Sequence, residues 1–392
     1  MSIQASQLTD NARYFTKDGR WFRDSLGRYV LFRGVNFGSR SKLPPYLPIA
    51  PLDVRSIDQL DLKKEIELVK PELDLLKRLG FNIVRLLISW KAIEPKPNPN
   101  LEELLPEGKR YLSIVKEIIA ELYKRDLYVL LDFHQDIAHE IYGGDGFPDW
   151  AIAIDNKHKK PKPANLRDRK WQVAYMINKL VKNTIRSFWE NNLTNIEAGL
   201  QDYPVRTHLE KTIGQTVKFF TESKNDENAS GQNEMAVNEQ QGHPAILGIE
   251  PFNEPHPVGL KDFEPNQLFK YYLNVESEIR KYDDKIFLFI EPGVDWTLAD
   301  REGDAPKAAK GPFSIKRSFH LGFVRDTMIE GKVLAKHIRT YLPKDPPSLE
   351  ALNKRGVLSF HYYEPLATID AFARIPDNIY RFKREWPDVF SQ

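Results

Sequence analysis

The 392-residue chain is 41% hydrophobic and 11% aromatic, enough for one large domain or two ordinary ones with a real core. Lysine and arginine number 57 against 55 aspartate and glutamate, and no basic block suggests a nucleic-acid groove, so no nucleic-acid partner is expected. The lack of cysteine excludes disulfides, thiolate metal sites and Cys nucleophiles together. The first residues, "MSIQASQLTDNARYFTKDGR", contain no apolar leader core, and no window approaches the ~20 apolar residues of a membrane span. The sequence therefore reads as cytoplasmic, without a transmembrane segment.

Six short apolar runs alternate with helical patterns. The first is "YVLFRGVNF" (29–37) and the second "NIVRLLISW" (82–90), after a helix with Pro71 near its start, Leu73, Leu76 and Leu79 inside, and Gly80 as its stop. The third, "LYVLLDFHQD" (127–136), follows a helix whose Leu112, Val115, Ile118, Ile119 and Leu122 recur at helical spacing. The fourth is "AILGIEPFNEP" (245–255), the fifth "IFLFIEP" (286–292) and the sixth "GVLSFHYYEP" (356–365). An insertion at about 137–244 separates runs three and four, with helices near 169–190 and 205–222 and a polar stretch (221–243) that reads as a mobile loop.

Alternation of this kind predicts βα units around a parallel sheet. Each run starts apolar and ends in polar or aromatic residues, the pattern a (β/α)8 barrel places around its C-terminal mouth. The predicted fold is thus a (β/α)8 TIM barrel forming one domain over 1–392. No seventh apolar run follows residue 365, so the barrel is expected to be incomplete, with about six βα units and a missing C-terminal segment or second fragment as a partner.

Glu254, at the end of run four beside Asn253, is placed to act as a proton donor facing a cleft. Cleavage of a glycosidic bond needs such an acid and a facing carboxylate, ~5 Å away for retention of configuration. In a pocket with aromatic walls its pKa would rise and it could hold a proton at neutral pH. His134 and His139, five apart, make a poor metal pair, and neither a Gly-rich phosphate loop nor a Gly-x-Ser-x-Gly element occurs. No cofactor and no metal are expected.

The motifs "VRL" (84–86), "DFHQD" (132–136), "FNEP" (252–255) and "HYY" (361–363) together resemble glycoside hydrolase family 5, the cellulase-like family, over roughly 14–380. Within it, "SKLPP" (41–45), "GGDGFPDWA" (143–151), "SFWEN" (187–191) and "FIEP" (289–292) are most similar to endoglycoceramidases and to glucosylceramide and steryl-glucoside hydrolases. The resemblance implies a retaining hydrolase that removes sugar from a lipid aglycone.

By the same resemblance Glu254 is the acid/base, Asn253 a ligand of the sugar 2-hydroxyl, and Arg85 the residue that orients the nucleophile. His134, His361 and Tyr363 complete the charge network, Lys42 and Asp136 hold the terminal sugar, and Trp150 is a sugar-stacking or lipid-entry wall. The family's nucleophile is expected on a seventh strand. Glu291, 37 residues beyond Glu254, fits strand five and is expected to shape the substrate pocket, while Glu364 makes a loop contact. An endo-β-1,4-glucanase and a non-catalytic carbohydrate or glycolipid binder are the alternatives.

Overall fold

The structure, a computed structural model, describes residues 15–19, 21–153, 175, 178–228, 244–260, 263–291, 293 and 354–359. It opens with a small antiparallel sheet of β1 (Thr16–Asp18), β2 (Trp21–Arg23) and β3 (Tyr29–Val30). Next come β4 (Gly34–Phe37), β5 (Ile83–Ile88) and β6 (Tyr128–Phe133), then a separate hairpin of β7 (Leu193–Asn195) and β8 (Leu200–Tyr203). The strands β9 (Ile246–Glu250), β10 (Phe287–Ile290) and β11 (Gly356–Leu358) complete the set.

β4, β5, β6, β9, β10 and β11 form one sheet in that spatial order, and every neighbouring pair is parallel. Each strand lies beside the one before it, the order of six successive units of a (β/α)8 barrel. The crossovers contain α1 (Leu62–Arg78), α2 (Trp90–Ile93), α3 (Pro106–Tyr123), α4 (Lys179–Glu190), α5 (Val205–Asn228) and α6 (Phe269–Arg280). No helix among the described residues is long and apolar enough to cross a membrane.

The helices form where their sequences place caps and stripes. α3 has Pro106 in its first turn and buries the stripe Leu112, Val115, Ile118, Ile119 and Leu122 against the sheet, each burial stabilising by about 1.5–3 kcal/mol. The side chain of Asn178 accepts the N–H groups of Leu180 and Val181 at 2.9 and 3.3 Å to start α4. Asn191, at φ 57°, ends it in the left-handed conformation.

Three sequence expectations are corrected here. The run 29–37 divides between two sheets, since Tyr29–Val30 pairs antiparallel with β2 and only Gly34–Phe37 joins the parallel sheet. Pro71 lies inside α1 and not near its start, because Asp61 caps the helix earlier by accepting the Lys64 N–H at 3.1 Å. The Glu67 carbonyl that Pro71 cannot serve lies on an exposed part of the helix, where water can replace the bond. The first eight residues of the polar stretch 221–243 continue α5 as helix; the rest lies outside the described residues.

A cluster of Phe15, Leu247 and Phe287, packed with Phe22, Val30, Phe32, Ile83 and Tyr128, joins the N-terminal hairpin to the starts of the parallel strands. Lys17 Nζ donates to the Gly356 carbonyl at 2.6 Å and Arg355 Nη1 to the Phe15 carbonyl at 2.7 Å, fastening the same end. The closed end is thus apolar. Arg85 lies two residues beyond Ile83 on β5 and therefore shares its face one layer nearer the C-terminal ends, where polar chemistry begins.

Candidate active site

Arg85 is the hub of the C-terminal layer. Its Nη1 lies 3.0 Å from Asp132 Oδ2, its Nε bonds Glu250 Oε2, its Nη2 donates to Asn253 Oδ1 at 2.8 Å, and Glu291 Oε1 lies 3.6 Å from Nη2. Asp132 and Glu250 are direct partners in the β6–β9 register, so the strands themselves bring these acids side by side. Asp132, Glu250 and Glu291 are all fully buried. Burial alone would lower the Arg85 pKa, but Asp132, Glu250 and Glu291 outweigh it and hold the guanidinium charged.

Ser359, just beyond β11, donates its hydroxyl to Glu250 Oε1 at 2.6 Å. Glu291 differs from its neighbours: burial first, and then the charge of Glu250, raise its pKa well above the usual carboxylate range. His134 binds Asp132 Oδ2 through Nδ1 at 2.7 Å and faces Asp136 Oδ2 through Nε2 at 3.4 Å. Burial would lower its pKa, but Asp132 and Asp136 push it up to about 10. Arg85 and His134 are thus held as cations at the heart of this layer.

Asn253 and Glu254 are fixed by backbone bonds on both sides. The Asn253 side chain donates to the Gln135 carbonyl at 3.0 Å, and Gln135 Nε2 returns a bond to the Asn253 carbonyl at 2.8 Å, stitching the end of β6 to the end of β9. Glu254 has φ 46°, a left-handed conformation uncommon for a residue with a Cβ, and its N–H donates to Glu291 Oε2 at 3.0 Å. Phe252 anchors the turn among Phe147, Phe188, Trp189 and Tyr271 with ring centroids 4.9–6.1 Å apart. Trp189 Nε1 holds the His256 carbonyl at 3.0 Å just beyond. The turn that presents Glu254 is therefore rigid.

Beside it lies a second polar corner. Asp136 and Asp145 pair as an isolated antiparallel bridge through Asp136 N–H to Asp145 O at 3.2 Å and Asp145 N–H to Asp136 O at 2.8 Å. Gly144 permits this approach, since a Cβ there would stand 1.6 Å from the Asp136 carbonyl oxygen. Gly146, at φ 111°, would meet the His134 carbonyl oxygen at 2.6 Å in the same way. Lys42 Nζ bonds Asp136 Oδ2; burial would lower the lysine's pKa, but Asp136 and Asp145 raise it. Asp136 is held well below the usual range: burial opposes this, and His134 and Lys42 overcome it. Burial and then Asp136 push Asp145 up to about 7, opposed by His134 and Lys42.

His134, Asp136 and Asp145 bring atoms able to bind a metal within 4.8 Å of one another, and so do His139, Glu140 and Asp149. In each group a lysine ammonium already supplies the cation. Lys42 bonds Asp136, and Lys91 lies 2.5 Å from Glu140 and 2.6 Å from Asp149.

The network has a consequence for pH. The folded His134 pKa, about 10, lies above its ordinary value of 6.5, so its stabilising contribution is complete below pH 6.5 and is lost as pH rises through about 10. Urea unfolding of the native chain is expected to lose up to about 1.4 kcal/mol per pH unit more than His134→Gln within that window. Equal slopes in the two proteins would contradict this assignment.

The structure brings together Arg85, His134, Asn253, Glu254 and Glu291, with Lys42 and Asp136 in the adjoining corner. His361, Tyr363 and Glu364 lie outside the described residues. Three expectations change. Trp150 is no open wall: only 4% exposed, it packs 5.5 Å from Trp90 and 5.1 Å from His208 and gives its Nε1 hydrogen to the Glu94 carbonyl at 3.0 Å. The Asn253 side chain is already engaged by Arg85 and Gln135, where a free amide was expected. Glu291 is 0% exposed and lies under the Glu254 peptide, so the substrate contact expected of it gives way to a contact with backbone.

Sequence reasoning missed Glu250, Gln135, Asp145 and Tyr272. Glu250 had a visible signal, an acid closing an apolar run and followed by Pro251, the pattern shared with Glu254-Pro255 and Glu291-Pro292. Tyr272 had none, being one of several aromatics on the buried face of α6.

A sheet of successive parallel strands whose C-terminal ends carry buried carboxylates around an arginine defines a barrel of the class that holds its site at that mouth. Residues 65–198 match the family model described as Cellulase (glycosyl hydrolase family 5). Endoglycoceramidase I of Rhodococcus hoagii (strain 103S) is 26% identical over 288 residues, which cover 71% of this chain and 46% of that protein. The endoglycoceramidase of Cyanea nozakii is 33% identical over 358 residues, covering 87% of this chain and 55% of that protein. Among solved structures, endo-glycoceramidase II from Rhodococcus sp. has a TM-score of 0.47 at 23% identity, covering 69% of this chain and 50% of that one. The chain thus spans about half the length of these curated relatives.

Proposed function

We propose that this site belongs to a retaining glycoside hydrolase that cleaves a β-glucosidic bond to a hydrophobic, glycolipid-type aglycone, with Glu254 as general acid/base. The observation that carries the reading is the rigid Asn253-Glu254 turn at the C-terminal end of the parallel sheet, tied to Arg85 through Asn253. The names of the relatives support the choice of a lipid aglycone.

In this reading Glu254 protonates the glycosidic oxygen as the bond breaks and later takes a proton from the attacking water. Asn253 has one amide hydrogen on Gln135, and we assign its second to the sugar 2-hydroxyl. Lys42 and Asp136 hold hydroxyls of the terminal sugar as a paired donor and acceptor. The His134 imidazolium helps keep Asp136 anionic, and His361 and Tyr363 are assigned to the same network. Retention also needs a nucleophilic carboxylate ~5 Å across the anomeric carbon. Glu250 and Glu291 are fully buried beneath Arg85, so we assign that group to a residue outside those described.

The test is turnover of glucosylceramide or a steryl glucoside in detergent against a soluble β-1,4-glucan. Release of glucose from the lipid with little action on the glucan is expected. Faster action on the glucan would favour an endoglucanase, and saturable binding without hydrolysis would favour a non-catalytic glycolipid binder.

A further inference from the structure

Glu291 is a fully buried carboxyl group, yet it touches the residue assigned as proton donor. Its Oε2 accepts the Glu254 N–H at 3.0 Å, in the peptide whose φ of 46° places Glu254 in the left-handed region. A non-glycine residue keeps that conformation only where its surroundings hold it there. Tyr272 fixes Glu291 in turn, its hydroxyl donating to the Glu291 carbonyl at 2.6 Å while accepting the Glu291 N–H at 3.0 Å.

Burial, and then the nearby charge of Glu250, raise the Glu291 pKa, and Glu250 is itself held by Arg85 and Ser359. Arg85 Nη2 lies 3.6 Å from Glu291 Oε1, within ion-pair range but beyond a direct hydrogen bond. Among the described residues, the groups facing Glu291 include Glu250, Arg85 and Glu254 at the sheet ends and Tyr272 from α6.

From this geometry we infer that Glu291 is a positioning residue: it accepts the Glu254 N–H and thereby sets the backbone that aims the Glu254 carboxyl. The inference rests on the reading of Glu254 as the acid/base for its effect on rate, but not for its effect on the backbone. Glutamine keeps a side-chain oxygen able to accept the Glu254 N–H, whereas methionine fills similar space and has no such acceptor.

The experiment compares the full chain with Glu291→Gln and Glu291→Met, reading amide exchange at Glu254 by NMR and, separately, kcat and KM on glucosylceramide. Glu291→Gln is expected to keep Glu254 N–H protection and kcat within a few-fold. Glu291→Met is expected to lose at least about tenfold in protection and about 10²-fold in kcat, with little change in KM. A Gln variant as impaired as the Met variant would overturn the inference, because it would show that an oxygen acceptor for the Glu254 N–H is not what holds the turn. Full protection in both variants would overturn it as well, by showing that Glu291 does not hold the turn. Should Glu291→Met fail to fold, Glu291→Gln against the native chain still decides. An absence of hydrolysis in the native chain counts against the proposed function alone, since amide exchange reads the positioning without turnover.

Discussion

Glu254→Gln is expected to lower kcat/KM on a glucosyl lipid by about 10²–10⁴-fold and to act far less on kcat/KM for an aryl glucoside with a good leaving group. The amide has the shape of the acid but no proton to give. A lipid alkoxide leaves poorly unless its oxygen is protonated as the bond breaks, whereas an activated phenolate departs unaided, so the two substrates separate proton donation from general damage to the site. The turn itself should survive, because the Glu254 backbone is held by Glu291 and its neighbour by Gln135 and Arg85, none of which depends on the Glu254 charge. Equal losses on both substrates would remove the acid role.

Arg85→Met is expected to have the largest effect on stability, lowering the unfolding free energy by about 3–5 kcal/mol, the usual cost of stranding a buried charge. The guanidinium faces Asp132, Glu250 and Glu291 together and also holds Asn253. Without it Glu250 keeps only the Ser359 hydroxyl among these partners, and Asp132 must rely on His134. Arg85→Lys should recover little, since one ammonium cannot reach partners arranged around a planar fork. Urea denaturation at pH 7 checks both. A midpoint unchanged in Arg85→Met would show that the carboxylates are solvated and not buried around one cation.

Strand ends were the legible part of this molecule. An apolar run that stops at an acid is visible in one dimension, and "DFHQD", "FNEP" and "FIEP" mark the ends of β6, β9 and β10. The helical stripe of α3 was equally plain, because Leu112 to Leu122 bury one face at constant spacing. The run 29–37 misled because a hairpin strand and a barrel strand are both apolar, and periodicity cannot see the change of sheet between Val30 and Gly34.

The roles of individual side chains were less legible because they depend on partners far along the chain. Trp150 turns inward to contacts at Trp90, Glu94 and His208, which no local pattern announces. Glu254 and Glu291 look alike in sequence, each an acid before a proline at a strand end. Only the packing of Tyr272 and Glu250 shows that the second lies beneath the first and supports its backbone.

The most direct test is a crystal structure of the chain bound to a non-hydrolysable β-glucosyl lipid, such as a thioglucoside. The bridging sulfur should lie within hydrogen-bond reach of the Glu254 carboxyl, with the sugar 2-hydroxyl on Asn253 and outer hydroxyls on Lys42 and Asp136. A sugar seated away from Glu254, or a Glu254 side chain turned into the protein with the glucoside in place, would contradict the assignment.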